Sequence, residues 1–305
     1  MAPPRVIVIA NPASGRGKAE RMIPAVRTEL KELGHGSELR ISNGPDDPPG
    51  MAREAAEEGA GIVAAMGGDG MVGMVGAALV GSSAALGVIP TGTGNDFATL
   101  LGIKRKRPAD ALAGLRDPEY RHIDVVRLAT ADGVERSFLN VAGAGFDSEV
   151  NETANRMRTR IQGTAKYVAA VFKTLRRFNP AQFRMSIDGG GEESFSVMLI
   201  AVGNGRSYGG GMKITPGASI DDGILEVCAV KAMKRGQFLR AFPKVFKGTH
   251  VKDPRVQTWR GKRIELAADR HFEVYADGEP SGPLPATFEV VPGALRLAVP
   301  RSAGS

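Results

Sequence analysis

The residues of this chain best placed to do chemistry are carboxylates and hydroxyls set among glycines at the ends of apolar runs. Gly67-Gly68-Asp69-Gly70 follows the apolar run 60–66. Its glycines permit positive φ and let a ligand approach the backbone with no Cβ in the way. A glycine turn between strand and helix brings backbone N–H groups and a helix N-terminus to a phosphate. Asp69 would repel that phosphate unless a cation or a hydroxyl lies between. The local chemistry is therefore nucleotide phosphate plus metal, with a tight turn and a capping Asp as the plain alternative. In Asn11-Pro12-Ala13-Ser14-Gly15-Arg16-Gly17-Lys18, Ser14 and the N–H groups after it can hold an anion, and Arg16 and Lys18 add positive charge. The spacing is not that of a P-loop. Thr91-Gly92-Thr93-Gly94-Asn95-Asp96-Phe97 offers hydroxyls, backbone donors and an amide.

Two acidic turns lie further on. Asp277-Gly278-Glu279 closes a strand pattern, and a carboxylate beside a phosphate can accept a substrate hydroxyl proton. Asp221-Asp222-Gly223 places two carboxylates in one turn, where loop carbonyls can help them hold a hard cation. An ordinary Asp-Gly turn accounts for either stretch equally well.

The elements that must position these residues change character along the chain. Apolar runs at 5–10, 38–41, 60–66 and 86–90 read as strands, and helical spacing reads at 19–33, 46–59, 71–80 and 97–101. Alternation of this kind predicts a parallel sheet with helices on both faces. The turns at 11–18, 67–70 and 91–97 then converge on one crevice at the strand C-termini. From His122-Ile123-Asp124 onward the grammar is that of hairpins, with strands at 125–130, 134–142, 183–187, 195–202, 224–230, 264–267, 271–275, 287–291 and 295–299. Many strands with few helices predict a sandwich-like second domain. Residues 150–178 read as one basic helix with an apolar face, which either packs on a sheet or meets a membrane surface.

A length of 305 residues suggests two domains. The single cysteine, Cys228, excludes an intrachain disulfide and reads as a buried structural thiol with no His neighbour in the local sequence. No run has the length of a membrane span or the pattern of a signal peptide, so the chain is expected to be cytoplasmic. The net charge of +7 suits an anionic partner. No aromatic-rich basic strand or recognition helix points to nucleic acid. The basic residues between 156 and 178 and the run Lys104-Arg105-Lys106-Arg107 read either as a solvated face and loop or as a peripheral contact with anionic lipid at the inner face of a membrane.

Six motifs in this order resemble the diacylglycerol kinase catalytic family, in its soluble bacterial lipid-kinase branch: Asn11-Pro12-Ala13-Ser14-Gly15, Gly67-Gly68-Asp69-Gly70, Pro90 to Phe97, Gly145-Phe146-Asp147, Pro216 to Gly223 and Asp277-Gly278-Glu279. The resemblance implies an α/β plus all-β architecture: a doubly wound nucleotide domain of the NAD kinase/diacylglycerol kinase type, then a β-sandwich, with the active site in the interdomain cleft. It implies a first domain of residues 1–123, rejoined by a segment at about 288–305, and a lipid-substrate domain of 124–287. It implies that Asn11, Pro12, Ala13, Ser14, Gly15, Ser42, Gly67, Gly68, Asp69, Gly70, Met71, Val72, Gly73 and Thr93, with Asn95 and Asp96, line an ATP site, Asp69 lying near the γ-phosphate. Mg²⁺ would travel with ATP, and a structural Mg²⁺ would sit at Asp222 with the carbonyls of Ser219 and Ile224. Asp277 and Glu279 would orient and deprotonate a lipid hydroxyl, with Asp69 the third catalytic residue. The acceptor implied is diacylglycerol, or another lipid alcohol such as sphingosine, ceramide or phosphatidylglycerol; the alternative is a nucleotide-binding regulator with little kinase activity. The resemblance is also compatible with a homodimer. Family members carry Thr, Asn and Glu where this chain has Met71, Gly73 and Met74.

Overall fold

The computed structural model describes residues 4–103, 108–157, 159 and 164–301. The basic run 104–107 and residues 158 and 160 lie outside the described residues. The chain divides into two compact units, Met1–Val125 with Pro292–Ser305, and Val126–Val291.

In the first unit, strands β1 (Val6–Ala10), β2 (Glu38–Ile41), β3 (Ile62–Gly67) and β4 (Ala85–Pro90) alternate with helices α1 (Ser14–Leu33), α2 (Asp47–Glu57) and α3 (Asp69–Ala78). Short helices α4 (Asp96–Leu100) and α5 (Pro108–Gly114) follow. The strands pair in parallel: β1 lies between β2 and β3, β3 pairs β4, and Leu297 and Ala298 of the C-terminal strand pair Leu86 and Gly87 of β4. Every residue of β1, β3 and β4 is buried, which explains why their Val, Ile and Ala runs do not alternate. Helix α1 contains Gly15, Arg16 and Gly17 in left-handed conformation, so regular helix begins only after them.

The second unit is built from antiparallel pairs. Strand β5 (Pro118–Thr130) enters it and pairs β6 (Glu135–Phe138). Then come β7 (Val141–Gly145), helices α6 (Phe146–Arg156) and α7 (Thr164–Leu175), β8 (Ala181–Ile187), β9 (Glu193–Gly203), β10 (Leu225–Lys231) and helix α8 (Arg235–Ala241). The remaining strands are β11 (Val256–Gly261), β12 (Arg263–Ala268), β13 (Glu273–Ala276), β14 (Glu279–Pro283) and β15 (Ala286–Pro300). Its core is aromatic: Phe146 meets Phe178 and Phe238 edge-on at 5.3 and 4.9 Å, and Phe183 stacks on Phe272 at 5.4 Å.

Several expectations need correcting. The strand expected at 134–142 is two, β6 and β7, because the Leu139, Asn140 and Val141 N–H groups turn to the Asp277 carboxylate. The expected helix 150–178 is also two. It starts early, at Phe146 after Gly145 (φ 97°), and α6 ends at Met157 in extended conformation. The strands expected at 287–291 and 295–299 are one, β15, which passes through Gly293 at φ 62°. Helix α8 and the 3-10 turns Phe242–Lys247 and Thr249–Lys252 were not legible in the hairpin pattern.

Candidate functional site

Three turns meet at the C-terminal ends of β1, β3 and β4. The first is fastened by its own asparagine: Asn11 Oδ1 accepts the Ala13 N–H at 3.0 Å, and the Asn11 N–H donates to Met66 O at 3.2 Å. Three consecutive left-handed residues follow, Gly15 (φ 60°), Arg16 (61°) and Gly17 (74°). Only Gly visits this region without penalty, so Arg16 is held there by its flanks. Gly15 is needed twice over, since a methyl there would lie 1.8 Å from Thr91 O. Ser14 Oγ and Thr91 Oγ1 are hydrogen-bonded at 3.1 Å. The second and third turns also touch through backbone. Gly67 O accepts the N–H groups of Thr91 and Gly92 at 3.0 and 3.2 Å. A methyl on Gly92 would stand 2.4 Å from Gly68 Cα. Ser42 lies one strand over, buried, its N–H donating to Ala10 O at 2.9 Å.

Asp69 opens α3, and its Oδ1 accepts the Phe97 N–H at 2.9 Å. This bond fixes where α4 begins. Asn95 sits at φ 55° and donates from Nδ2 to Gly92 O at 2.6 Å. Its Oδ1 is buried with no partner among the described residues, an acceptor open to a ligand hydroxyl or a water. Thr93 is exposed at the rim and Asp96 is buried. The residues expected at the nucleotide are therefore brought together, with one correction. Met71, Val72 and Gly73 are buried, and the Val72 N–H is committed to Gly68 O at 3.1 Å. They support the turn from behind. Met71 packs so tightly on the turn that a methyl on Gly67 would lie 2.5 Å from its Cβ.

Met71→Thr should therefore cost stability without improving nucleotide binding. It empties side-chain volume and buries a hydroxyl, a loss of about 1–3 kcal/mol. A lowered denaturation midpoint with unchanged nucleotide affinity is expected. Tighter nucleotide binding would show that residue 71 faces the ligand.

The acidic hairpin of the second unit separates its two carboxylates. Asp277 (φ 51°) and Gly278 (φ 88°) form the two-residue turn between β13 and β14, the type I′ pattern. The Asp277 carboxylate accepts the N–H groups of Leu139 (2.9 Å), Asn140 (3.0 Å) and Val141 (3.3 Å), and the Asp277 N–H returns to Val141 O at 3.0 Å. Its oxygens are occupied in holding two chain segments together. The neighbouring glycine segment joins the same knot, the N–H groups of Asn204 and Gly205 both donating to Asn140 O. Glu279 makes no side-chain hydrogen bond or ion pair among the described residues. Its residue is exposed, yet the protein beside its carboxyl removes enough solvent to raise the pKa. A raised pKa makes the carboxylate a stronger base.

The expected cation loop is differently occupied. Asp222 accepts the Ile224 N–H on Oδ1 at 3.1 Å and pairs with the Arg260 guanidinium through Oδ2. Ser219 Oγ donates to Asp221 Oδ1 at 2.6 Å. Without a metal, the Asp222 carboxylate is thus held by an arginine and a backbone N–H, whereas Mg²⁺ takes one or two carboxylates and fills the rest of its shell largely with water. No cluster of three His, Cys, Asp or Glu suited to a metal occurs among the described residues.

An apolar cavity of about 60 Å³, or about 540 Å³ counted out to its open side, lies in the second unit. Phe146, Val171, Phe238 and Phe242 form its walls, with Asp147, Tyr167, Tyr208 and His250 as the polar members. Burial pushes the Asp147 carboxyl up to about 6, opposed by the hydroxyls of Tyr167, at 2.5 Å, and Tyr208. Cys228 is indeed a buried thiol, pushed up to about 12 by burial. His250, distant in sequence, stands 3.7 Å from its sulfur, a neighbour no local reading could reveal.

Residues 5–128 match the diacylglycerol kinase catalytic domain and residues 140–299 the YegS C-terminal NAD kinase beta sandwich-like domain. A diacylglycerol kinase of Mycobacterium tuberculosis (strain CDC 1551 / Oshkosh) is 37% identical over 97% of this chain and 96% of its own. A diacylglycerol kinase of Bacillus subtilis (strain 168) is 28% identical over 93% and 92%. A crystal structure of a diacylglycerol kinase from Bacillus anthracis str. Sterne superposes with a TM-score of 0.73 at 20% identity, covering 97% of each chain.

Proposed function

The chain belongs to the diacylglycerol kinase family, in its soluble bacterial branch, and on that premise we propose that it transfers the γ-phosphate of Mg-ATP to a lipid hydroxyl, diacylglycerol the first choice of acceptor. The observation that supports this most is the meeting of three glycine turns at the ends of β1, β3 and β4, where backbone contacts exclude any side chain larger than Gly at 15 and 92. Such a surface is shaped for a phosphate chain approaching the main chain. Phosphoryl transfer asks mainly for positioning and charge neutralisation. The metal would enter with ATP as part of the substrate and neutralise phosphate charge, and Asp69 is the carboxylate among these turns that would face it.

In the reaction the acceptor oxygen bonds to the γ-phosphorus, the bond to the β,γ-bridging oxygen breaks, and ADP departs. Glu279 takes the hydroxyl proton. Asp277 positions it by holding the turn between them. The apolar cavity of the second unit supports an acceptor with a hydrocarbon chain. No helix among the described residues is long and apolar enough to cross a membrane, so the acceptor would be reached from a bilayer surface.

The test is transfer of labelled γ-phosphate from ATP, with and without Mg²⁺, into a panel of lipid alcohols in mixed micelles. Label in diacylglycerol, dependent on Mg²⁺, is expected. Label confined to sphingosine, ceramide or phosphatidylglycerol would keep the chemistry and change the acceptor. No label in any lipid would overturn the assignment.

A further inference from the structure

The positive charge of this chain is not spread evenly. Residues 164–180 and 231–252 hold eleven Lys and Arg and no Asp or Glu. The rest of the chain holds 29 Lys and Arg against 33 Asp and Glu, so the whole basic excess comes from these two segments. They are far apart in sequence and adjacent in the fold. Arg235, first residue of α8, donates from Nη2 to Arg176 O just past the end of α7 at 2.8 Å. Both helices also wall the same cavity, α7 through Val171 and α8 through Phe238.

Each helix turns its next residue outward. Phe172, after Val171, is 50% exposed, the most exposed large apolar side chain among the described residues, and Leu239, after Phe238, is 36% exposed. In the same two segments Lys173, Arg176, Arg177, Arg240 and Lys247 are exposed. An aqueous role explains the bases but not an uncovered phenylalanine beside them. A purely apolar partner explains the ring but not the exposed bases that flank it on both helices.

We propose that the α7–α8 face is the surface by which the protein docks on an anionic bilayer, Phe172 and Leu239 entering the headgroup region while the flanking Lys and Arg meet lipid phosphates. Bilayer interfaces reward this combination, apolar side chains ringed by bases. The purpose assigned to the surface, access to a lipid acceptor, rests on the lipid-kinase reading. The binding itself does not. The sequence placed the membrane contact on 156–178 and 104–107. The fold adds to that stretch the segment 231–252 around α8, whose seven Lys and Arg lie far from α7 in sequence.

The test is co-sedimentation of the whole chain with phosphatidylcholine vesicles, with and without phosphatidylserine, and titration with a DNA duplex. Two double variants, Phe172→Ser/Leu239→Ser and Lys173→Glu/Arg240→Glu, are run beside it with thermal melts. Turnover is read separately on a short-chain diacylglycerol dissolved below its aggregation limit. Binding to the anionic vesicles only, weakened by salt, and a fall of about tenfold or more in each variant are expected, with melts and soluble-substrate turnover unchanged. Equal binding to neutral and anionic vesicles, or variants that bind as the parent does, would overturn the proposal. So would DNA binding as tight as vesicle binding. Vesicle binding without phosphorylation of any lipid would leave the surface standing and remove the kinase reading instead.

Discussion

Replacing Glu279 with Gln is expected to lower phosphoryl transfer by about 10²–10⁴-fold, the usual range for a lost general base, with no change in melting temperature. Glu279 is exposed and holds nothing together, so the isosteric amide leaves the hairpin intact while removing the proton acceptor. Asp277→Ala should behave otherwise. It strips the acceptor from three backbone N–H groups at once and places alanine at φ 51°, where Asp is better tolerated. A stability loss of about 2–4 kcal/mol follows from the orphaned donors, and activity falls because the turn carrying Glu279 loosens. Asp277→Asn separates the two effects, since it keeps one oxygen for the N–H groups and should retain part of both fold and rate. Rates and thermal melts of the three variants decide the assignment. An Asp277→Ala protein that melts normally but is inactive, beside a Glu279→Gln protein of near-normal rate, would reverse the roles.

The first unit was largely legible because its signals are local. Buried parallel strands announce themselves as unbroken Val, Ile and Ala runs, and each is followed at once by the turn it presents. The convergence of those turns follows from topology alone. The second unit hid more because its decisive contacts span long separations. Nothing near Leu139 predicts that its N–H will donate to Asp277, so the break between β6 and β7 could not be read. The same limit applies to the acid pair. Spacing identified Asp277 and Glu279 as a unit, but only the hydrogen bonds show that one faces inward as a strut and the other outward. The arginine partner of Asp222 was hidden for a related reason, Arg260 lying on β11, a strand the alternation did not reveal. Met71 illustrates the opposite error. The family resemblance implied a ligand contact there, whereas a helix periodicity begun at Asp69 carries its side chain into the core.

The second large effect is expected at Gly15. Gly15→Ala should reduce ATP affinity by about 10²-fold, because a displacement of roughly 1 Å at a positioning group costs that order. Two penalties act at this residue and they can be separated. The φ of 60° disfavours any side chain, and the methyl would meet Thr91 O at 1.8 Å. Gly81 has the first problem without the second, at φ 78° with nothing within 4 Å of where a methyl would stand. Gly81→Ala should therefore lose about 1 kcal/mol of stability and keep its ATP affinity. In Gly15→Ala the carbonyl of Thr91 cannot yield, since the Thr91 N–H and the Gly92 N–H are both bonded to Gly67 O. The turn after β1 must move instead, taking with it Ser14 and the N–H groups that follow. Calorimetric titration with Mg-ATP, beside thermal melts of both variants, reads the two penalties apart. If Gly15→Ala bound ATP like the parent while melting lower, the turn after β1 would be a structural corner, and the phosphate chain would belong to the two glycine turns after β3 and β4.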